Sequence, residues 1–375
     1  MAAETGTLAM GDVRDVLIGP VAHGGHFIAH SDRRTLFVRH ALPGERARVR
    51  VTEVAARIVR ADAVEILEPS PDRVPAPCPW SGPGACGGCD FQHVALPAQR
   101  ALKTQVLRES LQRFGGIAPD DPIVGVTVDE LPGYPDGLHW RSRMTWATGP
   151  DGTRGLRRHR SHDVIGVDAC RIAEEGVARP DSPAQGKVDR SVRGRTWRLT
   201  EGDFWQVHPA LPEALVDAVL EFGEPQPGQL WWDLYAGAGL FAAFLGEAVG
   251  AEGTVEAVES APQAVRSARR ALHDLPSVRL HEFEVERWLQ AASGLTADGV
   301  VLDPPRAGVG RKVVDRIASA GRPTVVYVAC DPVALSRDVA LFAGHGYRLA
   351  ALRSFDAFPM THHFETVALL LPTAA

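Results

Sequence analysis

The second half of the chain predicts an α/β fold with a doubly wound parallel sheet. Four short apolar runs, LWWDL, TVEAVES, GVVLDPP and TVVYVACDP, alternate with helix-like stretches, and strands that alternate with helices form parallel sheets. The runs YRLAALRSFDAF and HFETVALLLP follow with only a short connection between them, which predicts an antiparallel pair at one edge. We place this domain at residues 201–375, beginning with the helical pattern of FWQVHPALPEALVDAVLEFG.

The first part of the chain predicts a small β-barrel. Short β-type runs such as DVLIGPVA, TLFVRHAL and RARVRVTEVA alternate with turn residues, a pattern typical of OB-like barrels that bind oligonucleotides. We place an RNA-binding barrel at residues 8–68. The segment EPSPDRVPAPCPW has five prolines and marks a boundary. A central, mostly β domain is expected over residues 69–200, with one amphipathic helix in LPAQRALKTQVLRESLQRFGG.

Composition narrows the class of protein. The chain has 375 residues, 45% hydrophobic and 23% charged, which is ordinary for a globular protein of two or three domains. It shows neither a signal-like start nor an apolar run of membrane-spanning length. We therefore expect a cytoplasmic monomer with no membrane partner. Its five cysteines are an odd number, and in a reducing compartment they indicate metal binding or catalysis more than disulfides.

The arginines are concentrated in two clusters. The net charge of -6 argues against a polyanionic partner, but residues 31–60 contain eight arginines and three acids. A second basic cluster runs from Arg141 to Arg160. A solvated charged surface is the alternative for either cluster alone. Together they favour a surface that contacts RNA phosphates.

Residues at the ends of the predicted parallel strands indicate a ligand site, because ligands of open α/β sheets bind beyond the carboxyl ends of the strands. In DLYAGAGLF, Gly237 and Gly239 allow the backbone to approach a ligand closely. Glu259 ends the next strand, where a carboxylate can accept hydrogen bonds from ribose hydroxyls. With Ala242, the same turn also fits a loose dinucleotide pattern, so a nicotinamide oxidoreductase is an alternative for this stretch.

The later strand ends carry reactive groups. One strand closes with Asp303 before two prolines, and another closes with Cys330. A cysteine in a strand is by default inert packing, but at the end of a strand its thiolate could face the ligand. Glu365, in FPMTHHFETVALL, is a candidate proton acceptor. The alternative of a nicotinamide oxidoreductase does not explain why the two prolines follow Asp303 or why a cysteine ends a strand.

Taken together, these motifs resemble the adenosylmethionine-dependent RNA uridine C5-methyltransferases, which make 5-methyluridine in ribosomal and transfer RNA. The resemblance extends from the barrel, which looks like a TRAM domain, through CxxxxxxxCGGCxxQH, FWQ, DLYAGAG, DPPRAG and VACDPVALSRD to FPMTHHFET. It implies a Rossmann-like class I methyltransferase domain with S-adenosylmethionine as cofactor.

The resemblance also implies roles for individual residues. The nucleophile falls on Cys330 and the proton-abstracting base on Glu365. The positions that fall on the cofactor are Gln206, Tyr235, Gly237, Gly239, Glu259, Glu284 and Asp303. The chain departs from the family at Leu240 and His208, where asparagine is common, and in having Ala-Cys-Asp-Pro for Ser-Cys-Asn-Pro. None of these departures removes a group at which bonds change.

If Cys330 is the nucleophile, Cys170 joins Cys78, Cys86 and Cys89 as a set of four. Four thiolates are the usual complement of an iron-sulfur cluster. Structural zinc is the rival, although zinc sites of four cysteines usually have two Cys-x-x-Cys pairs and this chain has one; free thiols are the third reading. The resemblance supports a [4Fe-4S] cluster, with seven residues instead of the usual five between the first two cysteines.

The expected function is methyl transfer to C5 of a uridine, most naturally in 23S rRNA, with transfer RNA as the alternative substrate. A thiolate that adds to C6 makes C5 reactive, and a carboxylate then removes the C5 proton. The target base must leave its stack to meet the thiol. A noncatalytic iron-sulfur RNA-binding protein is the alternative of another class. The cluster itself is expected to act as a structural staple, with redox sensing as the alternative.

Overall fold

The computed structural model describes residues 8–182, 186–200 and 203–373, and the chain divides into two units. Unit 1 comprises the residues up to Val106, Tyr134–Ser182 and Phe358–His363, and unit 2 comprises the remainder. The strands are β1 Val13–Ala22, β2 His26–Ser31, β3 Arg34–Arg39, β4 Arg46–Val54, β5 Val59–Glu68, β6 Val128–Glu130, β7 Ala147–Thr148, β8 Arg154–Arg157, β9 Val164–Gly166, β10 Lys187–Val192, β11 Arg195–Thr200, β12 Leu230–Leu234, β13 Thr254–Glu259, β14 Val278–Glu282, β15 Gly299–Leu302, β16 Thr324–Ala329, β17 Tyr347–Asp356 and β18 Glu365–Pro372. The helices are α1 Leu96–Gly115, α2 Leu211–Gly223, α3 Leu240–Val249, α4 Pro262–Ala271, α5 Val285–Ala291, α6 Gly310–Ala318 and α7 Pro332–Gly344, with short 3-10 turns at Pro122–Gly125 and Glu175–Val177.

The first five strands form the barrel that the sequence predicts. They close in the order β1-β2-β3-β5-β4, with β3 and β5 parallel and the other neighbours antiparallel. Alternate side chains point inward, and Phe27, Leu36, Val38 and Val59 are fully buried. Each apolar side chain of this size contributes about 1.5–3 kcal/mol when it is buried. These buried side chains stabilise a closed barrel in which each of the five strands pairs with two neighbours.

The rest of unit 1 has little regular structure. β7, β8 and β9 form a three-stranded sheet of very short strands. The β-like stretch HWRSRMTWAT contributes only Ala147–Thr148, because its earlier backbone bonds elsewhere: the Arg141 N–H donates to the Ile172 carbonyl at 2.8 Å. The predicted amphipathic helix is α1, which ends at Gly115, and Gly116 follows it with a φ of +69°. The chain's division into two units falls within this helix.

Unit 2 is built on an eight-stranded sheet in the order β14-β13-β12-β15-β16-β18-β17-β6. The five strands from β14 to β16 are parallel, and β18 is antiparallel to both β16 and β17. This confirms the doubly wound sheet with an antiparallel pair. The outermost strand is β6, which pairs in parallel with the end of β17. Its three residues carry too little pattern to be recognised as a strand in the sequence.

Helix α2 begins later than its sequence pattern suggests. The stretch from Phe204 to Ala210 is irregular, and the helix starts at Leu211 with Pro212 in its first turn. Pro209 disfavours a helical conformation at the preceding residue. The Ala210 N–H instead donates to His208 Nδ1 at 3.2 Å. Residues 201 and 202, with which the predicted domain begins, lie outside the described residues.

No helix in the described ranges is long and apolar enough to cross a membrane.

The contact between Gly299 and Trp231 is a sharp test of packing in the sheet of unit 2. A Cβ at Gly299 would lie 2.3 Å from the nearest atom of the Trp231 ring, which is 1% exposed. We expect Gly299→Ala to lower the free energy of unfolding by about 1–3 kcal/mol, because the buried ring cannot move aside. Chemical denaturation followed by circular dichroism measures the change. In Gly344→Ala, whose new methyl group would meet no atom within 4 Å, stability should stay the same or rise. Equal losses in the two variants would contradict this account.

Candidate active site and cysteine cavity

Four parallel strands bring predicted site residues to one edge of the sheet. Tyr235 follows β12, Glu259 ends β13, Asp303 follows β15 and Cys330 follows β16. The strand registers align the ends of these strands, with Leu234 beside both Val258 and Leu302. Since carboxyl ends of parallel strands meet at the same edge, this edge of the sheet carries the candidate active site.

The turn after β12 has a backbone that side chains rarely adopt. Tyr235, Gly237 and Gly239 have φ angles of +68°, +55° and +80°. A Cβ at Gly239 would lie 2.7 Å from Leu272, whereas one at Gly237 would meet no atom within 4 Å. Gly239 is therefore required by both conformation and packing. Gly237 leaves open space at the start of α3, where a ligand can approach the backbone.

Glu259 ties this turn to the end of β13. Its carboxylate accepts hydrogen bonds from the Gly237 N–H at 2.9 Å and from the Ala261 N–H at 2.7 Å. These two bonds fix the orientation of the carboxylate. Each oxygen keeps a second acceptor position, so the group can still receive hydroxyl donors from a ligand.

Asp233 is a buried carboxyl group of β12, two residues before Tyr235, that the sequence analysis did not single out. It is 0% exposed, and its Oδ2 accepts a hydrogen bond from the Ala242 N–H at 2.7 Å. Its Oδ1 has no partner within the described part of the chain. Burial, helped by the charges of Asp303 and Glu259, raises the pKa of Asp233 to about 7. The available signal was a carboxylate inside an otherwise apolar strand, LWWDL.

The carboxyl groups at this edge give it an anionic character. The pKa of Asp303 is raised to about 7, first by burial and then by the charge of Glu259. The charge of Glu259 thus disfavours the ionised forms of both Asp233 and Asp303. A cation bound among them would relieve this repulsion, so the site is suited to a positively charged ligand.

Cys330 and Glu365 lie next to each other across the pairing of β16 with β18. The register pairs Ala329 of β16 with Thr366 of β18. Because the strands are antiparallel, the next pair along is Cys330 and Glu365. Glu365 is 4% exposed, and burial, together with the charge of Asp303, raises its pKa well above the usual range. Burial raises the pKa of the Cys330 thiol to about 12, and the negative charge of Glu365 adds to this effect.

The charge of Arg306 acts on both groups, and the sequence analysis did not single this residue out. Its guanidinium acts to lower the pKa of Cys330 and that of Glu365. It follows Asp303 and the two prolines, in a loop that Asp338 holds in place. The Asp338 carboxylate accepts hydrogen bonds from the N–H groups of Val309 and Gly310 at 2.8 and 3.1 Å.

Asp331 performs a structural task beside Cys330. Its carboxylate accepts hydrogen bonds from the N–H groups of Val333 and Ala334 at 3.0 and 2.8 Å, and so caps helix α7. An N-cap of this kind satisfies amides that the helix leaves without partners. Asp331 therefore anchors the start of α7 directly after Cys330.

Two further predicted contacts are less closely tied to the site. Glu284 is exposed at the start of α5, and its charge contributes to raising the pKa of Tyr235 to about 12, where burial is the main cause. Gln206 is 8% exposed in the segment before α2. Within the described residues, no hydrogen bond joins its side chain to the other predicted cofactor positions.

In unit 1, the four remaining cysteines line one cavity. Cys78, Cys86, Cys89 and Cys170 all contribute to its wall, and the cavity volume is about 300 Å³. All four are free thiols. Burial raises the pKa of Cys86, and the charges of Cys170 and Cys78 raise it further. Cys170, which is remote in the sequence, thus lies in the wall of the same cavity as the other three cysteines.

Two of these thiols, those of Cys86 and Cys89, accept hydrogen bonds from residues of their own segment. The Gly88 N–H donates to the Cys86 sulfur and the Gln92 amide to the Cys89 sulfur, both at 3.4 Å. Burial raises the pKa of Cys89 well above that of a free thiol. Among the described residues, no group of three or more His, Cys, Asp or Glu side chains is arranged to hold one metal ion.

Comparisons with known proteins agree with this architecture. A TRAM domain model matches residues 9–64, and the tRNA (Uracil-5-)-methyltransferase family model matches residues 187–373. The solved structure of a tRNA (uracil-54, C5)-methyltransferase from Pyrococcus abyssi, in complex with S-adenosyl-L-homocysteine, superposes with a TM-score of 0.69 at 20% identity. It covers 95% of this chain and 99% of its own, which shows a shared fold.

Two curated relatives match along nearly their whole length. An uncharacterized RNA methyltransferase from Streptomyces avermitilis is 42% identical over 97% of this chain and 99% of its own. The 23S rRNA (uracil(1939)-C(5))-methyltransferase RlmD from Alkalilimnicola ehrlichii is 31% identical over 95% of this chain and 96% of its own. With the TRAM domain and the strand-end site, these matches show that the chain belongs to the family of S-adenosylmethionine-dependent RNA uracil-C5-methyltransferases.

Proposed function

We propose that the protein methylates C5 of a uridine in 23S ribosomal RNA, through a covalent adduct between Cys330 and C6 of the base. The observation that carries the proposal is the position of Cys330 beside the buried Glu365, at the sheet edge that also carries Glu259 and Asp303. The choice of 23S rRNA is supported by the similarity to RlmD along 95% of the chain. Transfer RNA is the alternative substrate.

The reaction needs a nucleophile because C5 of uracil is too weak to attack a methyl sulfonium unaided. Addition of the Cys330 thiolate to C6 forms the S–C6 bond and moves the electron pair of the C5=C6 double bond to C5. S-adenosylmethionine supplies the methyl group when bound. Glu365 then removes the proton from C5, and the electron pair of that C–H bond re-forms the double bond and expels the thiolate. Product and free cysteine result.

The electrostatics of the site support this division of roles. A carboxylate whose pKa is raised binds a proton strongly, which suits Glu365 for the removal of an unreactive proton. Cys330 needs the opposite help, since burial disfavours its thiolate. Arg306 is the group on the chain that stabilises this thiolate, so we assign it the role of activating the nucleophile. It acts through its charge on Cys330 and is therefore a positioning residue in this proposal.

We assign the cofactor to the anionic edge of the sheet. Glu259 would accept the ribose hydroxyls, since its carboxylate is already oriented by Gly237 and Ala261. The open space above Gly237 would admit the cofactor close to the backbone. The other residues that we propose as cofactor contacts are Gln206, Tyr235, Gly239, Glu284 and Asp303. The presence of both catalytic groups argues against a noncatalytic RNA-binding role.

We propose that Cys78, Cys86, Cys89 and Cys170 hold a [4Fe-4S] cluster. The donor set supports it, because the four cysteines line one cavity and four thiolates are the usual complement of such a cluster. A cavity of about 300 Å³ offers more space than a single zinc ion requires. The cluster would join the Pro-rich connector to the segment around Cys170. Methyl transfer moves no net electrons, so this role is structural.

The remaining assignments complete the proposal. We propose a cytoplasmic monomer, with a barrel at residues 8–68, a central domain at 69–200 and a methyltransferase domain at 201–375. The TRAM match at residues 9–64 supports the first of these boundaries.

The roles of Cys330 and Glu365 can be distinguished because they act at different steps of one reaction. Cys330→Ala should bind cofactor and RNA but form no adduct, because the thiol makes the bond to C6. Glu365→Gln should form the adduct and accept the methyl group, then stall because the C5 proton stays in place. Denaturing electrophoresis with methyl-labelled adenosylmethionine should show a labelled protein-RNA conjugate in Glu365→Gln alone. Full turnover by Cys330→Ala would overturn the mechanism, and normal product release by Glu365→Gln would overturn the assignment of the base.

The role of Arg306 predicts a change in thiol reactivity that needs no substrate. The raised pKa of about 12 means that alkylation of Cys330 by iodoacetamide should accelerate steadily between about pH 7 and pH 10, because only the thiolate reacts. Arg306→Gln removes the stabilising cation, raises this pKa further and should slow alkylation about tenfold for each pKa unit. Mass spectrometry of the Cys330 peptide gives the rate. Arg316→Gln, an exposed arginine of α6, should react like the wild type; an unchanged rate in Arg306→Gln would contradict the role.

The cluster can be tested by cysteine substitution, with Cys330, the fifth cysteine, as the control. Anaerobically purified protein should contain roughly equal iron and sulfide and absorb broadly in the visible range. Cys89→Ser should lose this absorbance, because it removes one of four ligands. Cys330→Ser should keep it, because that thiol belongs to the other site. Stoichiometric zinc without sulfide would rule the cluster out.

A further inference from the structure

The two basic clusters of the sequence differ in what their arginines contact. On the barrel, many of the arginines are already paired with acids. Arg48 forms ion pairs with Asp15 at 2.9 Å and with Glu65, and Arg46 lies 3.4 Å from Glu68. Arg60 pairs with Glu53 and Arg39 with Asp90. Four of the eight arginines counted between residues 31 and 60 therefore have a carboxylate opposite them on the folded barrel.

The second cluster is arranged differently. Five arginines line the cysteine cavity, and we call them the arginine rim: Arg141, Arg157, Arg158, Arg160 and Arg171. All except Arg141, which is half-buried, are exposed. Within residues 8–182, 186–200 and 203–373, no ion pair joins any of the five to a carboxylate. The rim thus presents uncompensated positive charge to solvent.

The rim is also held in place by the cysteine segment. The Gly87 N–H donates to the Arg157 carbonyl at 3.1 Å, and Cys86 forms a β-bridge with Arg158. The two segments pack so closely that a Cβ at Gly87 would lie 2.5 Å from the backbone nitrogen of His159. The backbone that carries the rim is therefore fixed before any ligand binds. A segment whose backbone is already ordered loses less conformational entropy on binding than a mobile one.

We propose that the arginine rim is the surface of unit 1 that binds the phosphate backbone of the RNA, and that the ion-paired barrel arginines add little to the affinity. The guanidinium group is suited to phosphate because it donates two parallel hydrogen bonds. A rim arginine can make this contact without giving up an ion pair. A barrel arginine such as Arg48 must first release its carboxylates. The proposal rests on the proposed function, because it names the part of the chain that holds the RNA substrate.

Matched pairs of substitutions test the proposal. Arg157→Gln with Arg158→Gln removes two charges from the rim, and Arg46→Gln with Arg48→Gln removes two from the barrel, so any effect of net charge is the same. The probe is a fluorescein-labelled oligouridylate, with binding followed by anisotropy over a range of salt. The rim variant should lose at least about tenfold in affinity at low salt, and its salt slope should fall by about 1.4, since each single-strand phosphate contact contributes about 0.7. The barrel variant should stay within about twofold of the wild type.

A lysine variant separates phosphate binding from a structural role of the rim. Arg157→Lys with Arg158→Lys keeps both charges and should retain most of the affinity, within about threefold, because a lysine still attracts phosphate. Equal losses in the rim and barrel glutamine variants, or wild-type binding by the rim variant, would overturn the proposal. Wild-type protein that transfers no methyl group to any RNA would overturn the proposed function instead. Adenosylmethionine binding should be unchanged in every variant.

Discussion

The antiparallel pairing of β18 with β16 is the constraint on which the active site depends. Ala329 lies opposite Thr366, and this register brings Cys330 and Glu365 together although a helix and a long strand separate them in the chain. The pairing is buried on both faces by valine and leucine side chains. A shift by one residue would turn every one of these side chains to the other face of the sheet. The hydrophobic residues of VVYVA and TVALL therefore determine how close Cys330 and Glu365 lie, although neither residue belongs to these two runs.

The same edge of the sheet concentrates carboxyl groups with few cations. Asp233, Asp303 and Glu365 each have a raised pKa, in each case first because they are buried. Such an arrangement costs stability, because each of these groups loses hydration that only a partner could replace. It is explained if a cationic cofactor binds there, since its sulfonium would replace the missing counter-charge. The charge of Arg306 acts at the other side of this edge, where it lowers the pKa of Cys330 and Glu365 against the effect of burial.

In unit 1, one short segment connects the cysteines with the arginines. Cys86 and Gly87 form the cavity wall and also hold the backbone of Arg157 and Arg158. A cluster bound by the cysteines would therefore stabilise the arginine rim as well, without contacting RNA itself. The proposed cluster would thus have a structural role that needs no electron transfer.

The sequence by itself determined the class of the fold and most of the chemistry. Alternation of apolar runs with helical stretches is a local property, so it predicted the doubly wound sheet, and motifs at strand ends predicted Cys330, Glu259 and Asp303 as neighbours. Tertiary structure decided which side chains share an environment. The effect of Arg306 on two titrating groups and the three-residue strand β6 have no local signature. The apolar neighbours of Asp233 in LWWDL were a local signal, but only the fold shows that this carboxylate is 0% exposed. The two arginine clusters looked alike in the sequence, because a count of charges cannot show which arginines have carboxylates opposite them. That difference arises only when the barrel closes and brings Asp15 and Glu65 to Arg48.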